Sequence, residues 1–389
     1  MSSPAILGGP PVFPHGVPFA RPFVPPLERV SARLAPSYER GILTNGPLVA
    51  ELEERAADFL GVDHVVAVSS CTNGLILTLR ALEPSGPVLL PSFTFSASAH
   101  AVAWNGLEPR FVECDPASFQ IDVDDAARRL DGVGAVMATH VFGAPCPAPQ
   151  VEAVGESAHA PVVFDAAHAF GAQRAGRRVG AGGVAEIFSL SPTKIVIAGE
   201  GGLVATGRSD VAESVRLGRD YGNPGDYNTR FVGLNARMSE LHAAVALESF
   251  DDVDEHLHRR RALARRYREA LALVPGITVQ LVDPGDDPTF KDLTIAVDEA
   301  AYGMSRDVLV DALGAEGVDT RCYFDPPVHR QRAYSSMGPP ALPVTDHVSS
   351  RVVSLPMYAD LELDVVDRIV DTIGSLHGAA AEVRDASAR

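Results

Sequence analysis

Between residues 48 and 60 apolar positions recur at three- and four-residue intervals, which predicts an amphipathic helix. Short apolar runs and helix-like stretches then alternate along the chain. Residues 65–68 read as a strand, a helix opens near Thr72, 88–90 is a strand, 96–104 a helix and 109–112 a strand. The pattern continues with helix 123–130, strand 135–139, helix 149–158 and the apolar strand 161–164. Alternation of this kind implies an α/β fold, a mainly parallel sheet with helices on both faces. Such sheets bind ligands at the carboxyl ends of their strands.

Residues 235–274 read as one long helical region, closing in the basic stretch from Arg259-Arg260-Arg261 to Arg268. Asp254, Glu255 and Glu269 alternate with these arginines, so the stretch reads as a solvated helix face rather than a phosphate patch. Beyond it, strands at 278–281 and 293–297 and helices at 306–315 and 363–376 suggest a smaller α+β domain. The first 30 residues are proline-rich and have neither helical nor strand periodicity, so they read as an extended arm lying over a neighbouring surface, with folding proper starting near Gly46-Pro47. The expected organisation is an arm (1–30), a large domain (31–250) and a small C-terminal domain (251–389).

Composition narrows the function. The 389 residues are 46% hydrophobic and 21% charged, a globular balance with room for a large core. A net charge of −17 argues against a nucleic-acid binder, whose footprint is basic. No apolar run reaches the roughly 18 residues of a membrane span, and no signal peptide is visible, so a cytoplasmic protein is expected. Cys71, Cys114, Cys146 and Cys322 are isolated and read as reduced thiols, and histidines 140, 168, 242 and 329 are too scattered for a metal site. There is no P-loop, no nucleophile elbow, no His-Glu-x-x-His motif and no complete dinucleotide-binding fingerprint.

Only two of the 33 basic residues are lysines. Lysine suits Schiff-base chemistry because its ammonium loses a proton when desolvated or set beside another cation, whereas a guanidinium stays charged. Lys194 lies between Ser189-Leu190-Ser191-Pro192-Thr193 and Ile195-Val196-Ile197-Ala198-Gly199-Glu200-Gly201-Gly202, a small, apolar and glycine-rich setting unlike a solvated surface. Lys291, beside Asp292, reads as an ordinary surface lysine. Asp165 ends the apolar strand 161–164; it either caps a helix or holds a cationic ring nitrogen protonated, as a carboxylate does for pyridoxal phosphate. Ser69-Ser70-Cys71-Thr72-Asn73-Gly74 follows a strand and opens a helix, where free backbone N–H groups and the Thr72 hydroxyl can receive a phosphate or simply cap the helix. Ser189 can add a donor, and Phe93 and Phe95 offer flat faces for a ring or for the core.

With Thr72, Asp165, Ser189, Lys194 and the Gly-Glu-Gly-Gly turn in this order, the chain resembles the sugar aminotransferases of the DegT/DnrJ/EryC1/StrS family. Further matching segments are Leu43-Thr44-Asn45-Gly46, Val112-Glu113-Cys114-Asp115, His140-Val141-Phe142-Gly143, Gly233-Leu234-Asn235-Ala236-Arg237-Met238-Ser239-Glu240 and Leu355-Pro356-Met357-Tyr358. The resemblance implies the three-layer fold of aspartate aminotransferase, pyridoxal 5′-phosphate as cofactor and a homodimer with shared active sites. It makes Lys194 the lysine that links the cofactor and shuttles the proton, and puts Asp165 against the ring nitrogen, Phe95 over the ring and His168 by its phenolic oxygen. Cys71 (backbone), Thr72 and Ser189 are expected to hold the phosphate, with Asn235 reaching that of the other subunit. Arg237 is either a substrate-phosphate ligand or a structural residue of its helix.

The family's usual Gly-Thr at the phosphate helix is Cys71-Thr72 here, and its common His-Tyr pair before the late proline is Tyr323-Phe324. The implied reaction takes an amino group from L-glutamate, released as 2-oxoglutarate, to a nucleotide-linked keto-deoxysugar. A (d)TDP-4-keto-6-deoxyhexose aminated at C4, in aminosugar or antibiotic biosynthesis, is the expected acceptor; C3 amination or a cyclitol ketone such as scyllo-inosose is the alternative. In deoxygenating dehydratases of this fold a histidine replaces the lysine, so Lys194 points to transamination. A cofactor-binding regulatory protein is the non-enzymatic alternative, without a basic DNA-binding appendage to support it.

Overall fold

The computed structural model describes residues 3–387. In chain order, its first half carries strands β1 (His64–Val68), β2 (Val88–Pro91), β3 (Pro109–Val112), β4 (Ala135–Thr139) and β5 (Val162–Asp165). A small hairpin, β6 (Gln173–Arg174) and β7 (Arg177–Arg178), precedes β8 (Ala185–Ser189) and β9 (Gly202–Thr206). The helices of this part are α1 (Leu27–Glu39), α2 (Pro47–Leu60), α3 (Cys71–Leu82), α4 (Ser96–Trp104), α5 (Val123–Ala127), α6 (Ala148–Ala158), α7 (Ser209–Gly218) and α8 (Glu240–Asp251). Seven strands form one sheet in the order β1-β9-β8-β5-β4-β2-β3. Only β9 runs antiparallel to its two neighbours.

Both faces of the sheet are covered, which explains the uninterrupted apolar strands. Successive residues of each strand therefore enter different cores. Val65, Ala67, Leu203 and Ala205 join one apolar cluster, while Val66, Val68 and Val204 join the cluster on the opposite face with Leu75 and Leu79 of α3. Helix α9 (Val253–Leu271) bridges to a second body, giving Val253 and Leu257 to the sheet's core and Leu263, Tyr267 and Leu271 to another. The chain goes on through β10 (Ile277–Val279), β11 (Asp286–Asp287), β12 (Leu293–Val297), α10 (Glu299–Tyr302), α11 (Arg306–Ala315), α12 (Pro343–Arg351), β13 (Val352–Leu355) and α13 (Leu363–Gly378), and β10, β12, β13, α11 and α13 close that second core.

Several expectations are corrected. The N-terminal segment is not wholly extended: Ala5–Leu7 form a 3-10 turn, and α1 begins at Leu27, well before Gly46. Helix α1 is hard to read because Pro36 lies inside it and prolines precede it; Val30 and Leu34 pack against the sheet's core, and Arg29 and Arg33 pair with Glu248 and Asp251. The arm lies on its own chain's second body, with Phe13 N donating to Glu316 O at 2.9 Å and Val17 N to Gly317 O at 2.8 Å. The expected helix 235–274 is two helices broken at Asp252, and residues 235–239 precede both. Its arginines are not all solvated: Arg260 is buried and donates to the carbonyls of Phe290, Lys291 and Met357. A carbonyl-satisfied guanidinium is how a charge can sit inside a helix packed on both sides.

Candidate active site

Four neighbouring strand ends build the site. β1 runs out at Val68 into Ser69-Ser70 and the start of α3; β5 ends at Asp165; β8 ends at Ser189; and β9 begins at Gly202. Gly202 pairs with Val68 on one side and Ser189 on the other, so these ends lie side by side. A Cβ on Gly202 would stand 2.6 Å from Cys71 N, so only glycine lets the start of β9 lie this close to the first turn of α3. Ser70 caps that turn by accepting from Asn73 N at 3.1 Å. The amides of Cys71 and Thr72 precede the first intrahelical bonds, as at any helix start, and with the helix dipole they suit an anion. Cys71 turns its thiol inward, 3.7 Å from Ile187 O, and burial first, then Asp165, pushes the thiol well up. Its backbone, not its sulfur, faces the cup. Ser189 is 8% exposed and its hydroxyl makes only long contacts, 3.4 Å, to Ser191.

Asp165 is buried at the carboxyl end of β5. Oδ2 accepts from Ser98 Oγ at 2.6 Å and Oδ1 from Ala167 N at 3.1 Å. Ser98 in turn meets Thr94 at 3.0 Å, and Thr94 meets Thr139 at 2.9 Å, a hydroxyl chain from β4 to the carboxylate. Burial raises the Asp165 pKa, opposed by those donors, by Lys194 and by His140. Phe95, one turn before Ser98 at the N-cap of α4, is 58% exposed and presents an open ring. Phe93 does not share that role: it is fully buried among Phe119, Phe142 and Phe324.

Lys194 sits on the connection between β8 and β9. Lys194 N donates to Ser191 O at 3.0 Å, Ala198 N to Leu190 O at 2.7 Å and Ile197 N to Ser249 Oγ at 3.1 Å, so the loop is tied to itself and to α8. Gly199 takes a positive φ of 83° to turn the chain. The Lys194 amine is driven down to about 8, first by burial and then by Lys291, against the pull of Asp292, Cys71 and Asp165. His168 follows β5 with its side chain 14% exposed, and burial, Lys194 and Lys291 hold its pKa well below the usual value.

The remaining residues fall at the rim or outside it. Asn235 is exposed, although the next carbonyl, Ala236 O, accepts from Ser69 N at 2.8 Å and ties this segment to the phosphate loop. Arg237 pairs with Asp220 at 2.9 Å and reaches Asn235 Oδ1 at 3.3 Å, contacts that secure its own segment. Tyr323 lies edge-on to Phe19, while Phe324 stacks on Phe142 in the core. The largest correction concerns Lys291: it is buried, 2.6 Å from Asp292 Oδ1, and acts electrically on Lys194 and His168. Its charged neighbour suggested solvent, but that neighbour is its buried partner. Nothing in the sequence marks Ser98, because only the folded chain brings it from α4 to Asp165 at the end of β5.

The donor set fits a ligand carrying a phosphate and a cationic aromatic ring. Asp165 is a dry carboxylate with two of its roughly four acceptor sites used, so it has room to accept from a further donor. The first turn of α3 with Ser189 offers donors suited to an anion, and Phe95 presents an uncovered ring at the N-cap of α4.

One seven-stranded sheet between two helical layers thus carries a lysine on the β8–β9 connection and a carboxylate at the end of β5, side by side with the start of α3. The family model for the DegT/DnrJ/EryC1/StrS aminotransferases matches residues 28–374, and the chain belongs to that family. The crystal structure of DesI in the presence of its TDP-sugar product is similar, with a TM-score of 0.92 and 37% identity, covering 99% of this chain and 98% of that one. The dTDP-4-amino-4,6-dideoxy-D-glucose transaminase of Escherichia coli is 29% identical over 361 residues, 91% of this chain and 96% of its own length. The dTDP-3-amino-3,4,6-trideoxy-alpha-D-glucose transaminase of Streptomyces venezuelae is 32% identical over 354 residues, 88% and 90% of the two chains. No helix among the described residues is long and apolar enough to cross a membrane.

Proposed function

We propose that this protein is a pyridoxal phosphate-dependent transaminase that moves an amino group from L-glutamate to a nucleotide-linked keto-deoxysugar, a (d)TDP-4-keto-6-deoxyhexose aminated at C4. The observation that carries this reading is the meeting of Lys194, Asp165 and the N-terminus of α3 at adjacent strand ends. The choice of a dTDP sugar rests on likeness to the Escherichia coli transaminase and to DesI, and that of C4 on the Escherichia coli transaminase.

In this reading Lys194 Nζ links the cofactor, and Asp165 keeps a proton on the ring nitrogen by supplying the negative charge. Cys71 N, Thr72 and Ser189 hold the phosphate, Phe95 covers the ring, and His168 lies toward the phenolic oxygen. Asn235, exposed at the rim, serves the cofactor of a second subunit, which makes the working form a homodimer. Pyridoxal phosphate, when bound, supplies the electron sink that lets a carbon beside nitrogen give up its proton. Lys194 Nζ, once released from its link, would take that proton and return it at the carbon on the other side of the same nitrogen, which its desolvated, readily uncharged amine allows. Because Lys194 and both acceptor carbons are confined together, the transfer is intramolecular in effect, worth up to about 7–11 kcal/mol. The arm (1–30), the cofactor-binding part (31–250) and the C-terminal part (251–389) then act as wall, platform and cover. Cytoplasmic aminosugar or antibiotic biosynthesis is the setting that this substrate class implies.

The test is a panel of nucleotide-linked 3-keto and 4-keto sugars and scyllo-inosose, each offered with glutamate. Turnover of the 4-keto sugar is expected; amination of only a 3-keto sugar, the activity of the Streptomyces venezuelae relative, or of only the cyclitol would replace the proposed acceptor.

A further inference from the structure

The carboxylate that ends β5 is met by a row of buried hydroxyls that the sheet itself sets up. Thr139, at the end of β4, is the register partner of Asp165, and His140 N donates to Asp165 O at 3.0 Å, so the two strand ends are fixed side by side. Thr94, on the connection from β2 to α4, and Ser98, in the first turn of α4, link them, and all three hydroxyl residues are buried. The contacts run from Thr139 to Thr94 at 2.9 Å, from Thr94 to Ser98 at 3.0 Å and from Ser98 Oγ to Asp165 Oδ2 at 2.6 Å.

Each hydroxyl has a single proton to give, and an ionised carboxylate can only accept. Ser98 spends its proton on Asp165, which obliges Thr94 to donate to Ser98 and Thr139 to donate to Thr94. All three O–H groups then point toward the negative charge, an alignment in which each bond strengthens the next. If Asp165 Oδ2 carried a proton and donated it, the row would have to reverse. Thr139 Oγ has no other hydrogen bond among the described residues, so its buried O–H would lose its acceptor. Burial raises the carboxyl, and Ser98, the Ala167 amide, Lys194 and His140 offset it, in that order; the Cys71 thiol is the further titratable group in the same field.

We propose that Thr139, Thr94 and Ser98 form a one-way hydroxyl row that keeps Asp165 ionised, with Ser98 as its positioning residue, so that a proton shared between Asp165 and a cofactor's ring nitrogen stays on the nitrogen. Only the last clause rests on Asp165 being that nitrogen's partner; the row acts on the carboxylate with or without a cofactor. Without the row the carboxylate becomes the stronger base and draws the proton from nitrogen to oxygen.

Two readouts test this. In cofactor-free protein the infrared carboxylic-acid band of Asp165, identified by its loss in Asp165→Asn, is followed against pH. Ser98→Ala should raise the midpoint at which that band disappears by about one to two pH units, Ser98→Thr should leave it in place, and Thr94→Val should raise it by roughly a tenth to a third as much. In protein loaded with pyridoxal phosphate carrying 15N in its ring, the nitrogen resonance should move toward that of an unprotonated pyridine in Ser98→Ala and by less in Thr94→Val. A purely structural role would lower the melting temperature and leave both readouts where they were. A Ser98→Ala midpoint that is unmoved or lowered overturns the proposal, as does a Thr94→Val midpoint below that of the unaltered protein. If Ser98→Ala does not fold, Thr94→Val decides alone: a raised midpoint supports the row, and an unmoved or lowered one overturns it. Failure of the transaminase reading is distinguishable, because borohydride then fixes no pyridoxal phosphate to Lys194 while the infrared midpoint still answers to Ser98→Ala.

Discussion

Glu240 and Asp165 are both buried carboxylates, yet the protein treats them in opposite ways. Glu240 Oε1 accepts from Gly46 N and Val49 N, each at 3.0 Å, and Oε2 from Ser37 Oγ at 2.8 Å and Leu48 N at 3.0 Å. Its charge is spread over the start of α2, where a helix favours an anion. Asp165 accepts from two donors and is left with a raised pKa at the edge of a cleft. A carboxylate with every acceptor site filled is a structural part, whereas one left half satisfied beside a lysine is reserved for something that arrives later.

Four experiments probe that contrast. Lys194→Ala should abolish transamination, by more than about 10⁴-fold, since tether and proton carrier are lost together; borohydride should then leave the cofactor unlinked. Label appearing on Lys291 would reassign the site. Asp165→Asn should lower kcat by roughly 10²–10³-fold with the fold intact, because the amide fills the space without the charge. A loss of melting temperature matching the loss of activity would make Asp165 another Glu240.

The rate at which cofactor-free protein takes up pyridoxal phosphate should follow the uncharged form of Lys194. Its pKa is depressed to about 8, so the rate rises about tenfold per pH unit below that value and levels above it. A rise continuing toward pH 10 would show an ordinary solvated lysine. The smallest effect is expected from Glu240→Gln, which sets an NH2 group against backbone donors: about 2 kcal/mol of stability lost by denaturant titration, with cofactor linkage unchanged.

Much of the architecture was legible because its strands are buried on both faces and stand out as apolar runs. Val65 to Val68 and Ala135 to Thr139 fold as read. Lys194 stood out by the scarcity of lysine, and Asp165 by its place at a strand's end. The β8–β9 pair, lying on either side of Lys194, was missed although it carries Ser189. Helix α1 is masked in the sequence by Pro36 and the prolines before it, although Val30 and Leu34 pack on the sheet's core beside its ion pairs to α8. Lys291 was misjudged since adjacency to Asp292 says nothing about whether the two share water or exclude it.

The connection that carries Lys194 starts and ends at Ser189 and Gly202, which face one another across the sheet. In mechanical terms it is a closed noose with its knot in the sheet. Closing a loop of this length costs about 2 kcal/mol beyond a constant, incurred once when the chain folds. On the proposed mechanism, Lys194 would swing between bonded and free positions by turning its own side chain while the noose stays tied, so that each catalytic cycle begins from the same anchor point.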